Sequence, residues 1–209
     1  SSDLASAHAR SRDLALVDRR PRHAPRLRRA GRDTACLRSP GRRRDTLTAA
    51  LAIDSVSNAM FTADRWLDLA RRDAEALTAE RDAEEREELL RVLGVEDTSK
   101  LPPYARADVK ALEESQKRRA TRSLRDGLDR ILVDLLSLYR DVLMVQLESG
   151  VDLVNEELRT QLSDVAARST AAQTIFKLQQ IELARTRIAA NVKDLMVMEA
   201  LAVNLRTKP

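Results

Sequence analysis

The residues best placed to do chemistry are cations. Within residues 117–125, in the stretch "KRRATRSLRD", five basic side chains (Lys117, Arg118, Arg119, Arg122 and Arg125) occupy nine positions. Such a cluster neutralises phosphates, which makes it a candidate contact for nucleic acid, with Arg118, Arg119 and Arg122 at its centre. The competing reading is the solvated shoulder of a helix. Glu113 and Glu114 stand four residues before Lys117 and Arg118, and Arg125 four before Asp129. Such spacings pair charges on one helix face for about 0.2–0.5 kcal/mol each. Arg119 and Arg122 are less clearly paired in the favourable acid-before-base orientation and are left as the charges open to a ligand.

Other chemistries lack their residues. None of the five glycines (Gly31, Gly41, Gly94, Gly127 and Gly150) is followed by Lys, so there is no phosphate-cradling loop ending in Gly-Lys-Ser/Thr. No Gly-x-Ser-x-Gly elbow occurs. His8, His23 and Cys36 are too few for a four-ligand zinc site, and a single cysteine forms no internal disulfide. Asp126, Asp129, Asp134 and Asp141 alternate with arginines at helical spacing, the pattern of solvated ion pairs rather than of a buried general acid and base. Trp66 reads as a core or interface anchor. The expectation is a chain without enzymatic activity, cofactor or metal, located in a reducing cytoplasm. No run of eighteen apolar residues or secretory start is present, so no membrane partner is expected.

The elements that must position these residues are helices. Aromatics make up only 2% of the 209 residues, against 43% hydrophobic and 33% charged, and Ala, Leu, Arg, Glu and Asp dominate. The net charge of +4 is unevenly spread: residues 1–44 hold thirteen arginines and four aspartates, a net of +9, so residues 45–209 carry −5. The first segment also holds three of the six prolines and no lysine, and shows no 3.6-residue period. Residues 1–44 therefore read as an irregular segment. It is open to three interpretations: an Arg-rich arm for nucleic acid, a solvated linker, or a GC-rich coding sequence translated out of frame.

Residues 45–206 read as an all-α domain of five to six helices. A short helix reaches about Leu51, and a long one opens at Asp54 or Ser55 and closes at Gly94, its second half a charged stem with Asp82–Arg86 and Glu87–Arg91 pairs. After Pro102 and Pro103 a helix over 105–148 carries one apolar seam (Leu124, Leu128, Ile131, Leu135, Leu138, Val142, Val145) beside a second row (Leu132, Leu136, Tyr139, Leu143, Leu147). Short helical pieces follow at 158–167. Thr170 and Gln173 form a capping-box pattern opening a helix to about 189. The last helix, 192–205, is apolar nearly all round: Val192, Leu195, Met196, Val197, Met198, Leu201, Val203 and Leu205. It predicts either a central core helix, the choice periodicity favours, or a subunit contact.

Two stretches go beyond composition. "RRATRSLRDGLDRILVDLLSLYRDVLMVQL" carries Asp129, Leu135, Tyr139, Arg140 and Asp141; "IELARTRIAANVKDLMVMEALAVNLR" carries Ala190, Asn191 and Val192, then Leu195, Glu199, Ala200 and Leu201. Over residues 41–206 the chain resembles the C-terminal helical region of the delta-prime subunit family of bacterial DNA polymerase III clamp loaders. The resemblance implies a collar domain, an oligomerisation module whose partners are the delta subunit and the ATPase subunit, within an assembly that loads the sliding clamp onto primed DNA. DNA contact would then be indirect or weak. The implied subunit interface comprises Tyr139, Val192, Leu195, Met196, Met198, Leu201 and Leu205. The family's AAA+-like module and its Ser-Arg-Cys motif have no counterpart here, so the chain reads as a C-terminal fragment or as frame-shifted upstream of about Gly41. The alternative is a helical nucleic-acid-binding protein using the Arg-rich arm and the basic segment at 117–125.

Overall fold

A computed structural model describes residues 40–94 and 102–207; the expected irregular segment falls outside these except for its last five residues. The domain is all-α, and the described residues form six α-helices and one 3-10 turn. These are α1 (Pro40–Leu51), α2 (Val56–Leu93), α3 (Pro103–Gln146), the turn Glu156–Leu158, α4 (Arg159–Ala167), α5 (Ala171–Ala189) and α6 (Asp194–Leu205). Residues 40–44 are helical, so α1 begins five residues earlier than its periodicity predicts. Arg42 and Arg43 are drawn into it by partners on α2 and α3.

Local chemistry accounts for the boundaries. Ser55 Oγ accepts the Asn58 N–H at 3.2 Å, and the Asn58 side chain donates to the Ala52 carbonyl at 2.9 Å, closing the corner between α1 and α2. Gly94 ends α2 at φ 65°, a left-handed conformation that glycine adopts without a Cβ clash. Pro103 opens α3 at the position where a missing N–H costs nothing. The capping box on α5 forms in both directions, Thr170 Oγ1 accepting from Gln173 N–H and Gln173 Oε1 from Thr170 N–H.

α3 is the spine: α1, α2, α4 and α5 all pack on it. Leu128, Ile131, Leu135, Leu138 and Val142 of the predicted seam are buried, as are Leu132 and Tyr139 of the second row, whereas Leu147 beyond the helix end is exposed. Each fully buried leucine contributes about 1.5–3 kcal/mol. α2 and α3 run together beyond the bundle as a two-helix stem. They approach closely at Gly127, where a Cβ would lie 3.3 Å from Ala70 Cβ. A side chain there would hold the two longest helices apart.

α6 is not the central helix. It packs on α2 and α5 alone among the major neighbours, burying Val197, Met198, Leu201, Ala202 and Leu205. The opposite side stays open, with Leu195 38% and Met196 60% exposed. Apolar residues all round thus reflect one face in the core and another facing solvent.

Candidate functional site

The seven expected interface residues divide into two groups. Tyr139, Met198, Leu201 and Leu205 are inside this chain's own core, with Tyr139 1% exposed and Met198 and Leu205 fully enclosed. They are unavailable to a partner without unfolding. Val192, Leu195 and Met196 are exposed, Val192 two residues before α6 and the other two in its first turn.

The basic cluster divides as well. Arg119, expected to be free, is the best-paired member: it is bonded to Asp82 and, through two 2.9 Å contacts, to both oxygens of Glu85 across the α2–α3 stem. Hydrogen bonds from Arg81 and Arg119 hold the Glu85 carboxyl below its ordinary range. Asp82 therefore faces Arg119 rather than the predicted Arg86, and Arg91 pairs with Glu88 rather than Glu87. Arg125 reaches Asn191 and Asp194 at the α5–α6 corner, while Asp129 is held by Arg185 at 2.8 Å. Arg118 keeps only a 3.9 Å contact with Glu114. Arg122 is exposed and has no ion-pair partner among the described residues.

Two of the segments quoted above, around Asn191 and around Asp141, are joints. Asn191 takes φ 63° and ends α5, a conformation asparagine tolerates better than branched residues. Its neighbour Val192 donates its N–H back to the Arg187 carbonyl at 3.0 Å. Asp141, fully buried, accepts from the Asn155 N–H at 2.7 Å, the Asn155 side chain at 2.8 Å, the Val154 N–H at 3.2 Å and Arg140 at 2.7 Å. Burial alone would raise the Asp141 pKa, but these donors outweigh it and hold the carboxyl below its ordinary range. Arg43 of α1 joins the same knot, donating to Asp134 at 2.8 Å, Asn155 Oδ1 at 2.6 Å and Ser137 Oγ at 3.2 Å. The knot ties α1, α3 and the segment before α4 together. Every one of these groups has a partner, so it is architecture rather than an open site.

Two buried groups escape sequence reasoning. Lys177 on α5 is 6% exposed, and its ammonium stands 5.2 Å from the Tyr139 ring centroid. Burial pushes its pKa down to about 8 and pushes that of Tyr139 up. Asp73 on α2 is 2% exposed; burial raises its pKa against the pull of Arg42, which lies 3.3 Å away, and of Arg130. Both lie on the buried stripe of their helices, Lys177 in register with Ile181, Ala184 and Ile188 and Asp73 in register with Trp66 and Ala70, so a charge at an apolar position was the signal the sequence offered.

A cleft of about 470 Å³ lies between α1 and α2 beside Trp66, whose buried indole N–H has no partner among the described residues. It contains no nucleophile set against a base. Among the described residues no group of three or more His, Cys, Asp or Glu could hold a metal, and no helix is long and apolar enough to cross a membrane. His8, His23 and Cys36 lie outside the described residues. Compared with protein-family models, with curated proteins and with solved structures, the chain matches none.

Proposed function

We propose that the chain is a collar-type oligomerisation domain of a delta-prime-like clamp-loader subunit, acting through α6 on the helical domains of neighbouring subunits. One observation carries this: α6 is apolar on the side that faces solvent as well as on the side that faces the core. Exposing Leu195, Met196 and Val192 together is costly for a solitary domain and useful at a subunit contact. The resemblance over residues 41–206 supplies the identity of the partners, the delta subunit and the ATPase subunit. Loading a sliding clamp onto primed DNA would then be the work of the assembly, with this chain in a structural, non-catalytic role.

The test is size-exclusion chromatography of the purified chain with delta and the ATPase subunit. Co-elution is expected, and Leu195→Glu with Met196→Glu should abolish it while leaving helical content unchanged. A folded chain that shifts neither partner, or co-elution indifferent to both charges, refutes the proposal.

The nucleic-acid reading retains Arg118 and Arg122, exposed and one helical turn apart on α3, but has lost Arg119 and Arg125 to internal partners. If it holds, binding falls steeply with salt and fails in a variant neutralised at Arg118 and Arg122.

A further inference from the structure

Where the end of α4, the first turns of α5 and the end of α6 meet, a cleft of about 140 Å³ opens. It is smaller than the roughly 300–1,000 Å³ of sites for drug-sized ligands, so its occupant is a small group. Three cations line it, Arg168, Lys177 and Arg206, and none of its lining residues carries a carboxylate. Elsewhere in the domain buried or half-buried charges are matched: Arg43 by Asp134, Arg119 by Glu85, Arg185 by Asp129.

Lys177 breaks that pattern. It is 94% buried by its 6% exposure, yet no hydrogen bond or ion pair among the described residues reaches its ammonium. The ammonium stands over the Tyr139 ring face, 5.2 Å from its centroid. A buried amine with no anionic partner is an expensive arrangement. Arg168 spends one donor on the Asp164 carbonyl, at 3.1 Å, and keeps the rest of its fork. Arg206 has no carboxylate partner among the described residues, and Thr207 lines the same cleft.

We infer that this cleft is a binding site for a phosphoryl oxyanion, with Lys177 as the buried charge beneath it and Arg168 and Arg206 as the two forks at its rim. The tetrahedral anion suits the donor set. Guanidinium groups bind phosphate oxygens through paired N–H donors, and an ammonium supplies a point charge from below. Depression of the Lys177 pKa is consistent with a site that is complete only when an anion is present.

The experiment titrates inorganic phosphate into the full 209-residue chain by isothermal calorimetry, in phosphate-free buffer at constant ionic strength, with lysine Cε resonances followed in parallel. Saturable one-to-one binding that moves the Lys177 resonance is expected. Lys177→Met and Arg206→Gln should each weaken it by about tenfold or more. Phenyl phosphate binding with the same dependence on both residues supports a phosphoryl group carried by a larger molecule; binding of inorganic phosphate alone supports the free ion. Absence of saturable binding up to about 10 mM phosphate, equal binding by both variants, or an equal response to acetate overturns the inference.

Discussion

Lys177→Met is expected to stabilise the domain at neutral pH, against the usual direction for a buried substitution. The wild-type residue is 94% buried, and burial pushes its pKa down from the ordinary 10.5 to about 8. At about 1.36 kcal/mol per unit this is a cost near 3 kcal/mol for keeping the charge inside. The Tyr139 ring face returns about 0.5–2 kcal/mol of it, leaving a net of about 1–3 kcal/mol. Methionine fills a similar volume without the charge.

The sign with pH follows from proton counting. Between pH 8 and 10.5 the unfolded chain holds the Lys177 proton and the folded chain has released it, so wild-type stability rises with pH across that window. Tyr139 acts oppositely: its folded pKa is raised, so the unfolded chain loses a proton first and stability falls above about pH 10. Urea unfolding of both proteins in phosphate-free buffer at pH 7, 8, 9 and 10 provides the assay. The variant's advantage should shrink by about 1–3 kcal/mol between pH 7 and 10. A variant less stable than wild type at pH 7, by a margin that does not change with pH, refutes the argument that Lys177 is a desolvated cation.

Asp141→Asn should cost about 2–4 kcal/mol, because it turns an acceptor toward the N–H groups of Asn155 and Val154 into a mixed donor and removes the charge facing Arg140. Since the folded pKa of Asp141 is depressed, its contribution is present above about pH 4 and is lost as pH falls through the folded value. Acid unfolding of the wild type, compared with the variant, reads this directly. Gly127→Val should destabilise by about 1–3 kcal/mol or more by forcing α2 away from α3 at Ala70, seen as a lower urea midpoint; no loss would contradict the close approach. Arg119→Ala should cost about 1 kcal/mol at low salt and less at high salt, as measured by urea unfolding at two ionic strengths, and should expose the stem to proteolysis.

Much of the domain was legible in the linear pattern because helices are local objects. Ser55, Gly94, Thr170 and Gln173 act within a turn of themselves, so α2 and α5 could be bounded without knowing what they pack on. The seam from Leu128 to Val142 marked the buried face of α3 for the same reason. The start of α1 was missed because the residues that stabilise it, Asp73 and Asp134, are 31 and 91 positions away.

The sequence by itself determined that the chain makes helices, where most of them begin and end, and that α6 has too little polar surface for a simple amphipathic helix. Only the tertiary structure decided which face of α6 is enclosed, that Arg119 is bound while Arg122 is open, that Asp141 anchors a loop, and that Lys177 is buried without an anion. Periodicity is a property of one helix, whereas burial and ion pairing depend on which helices meet, and those contacts join residues far apart in the chain.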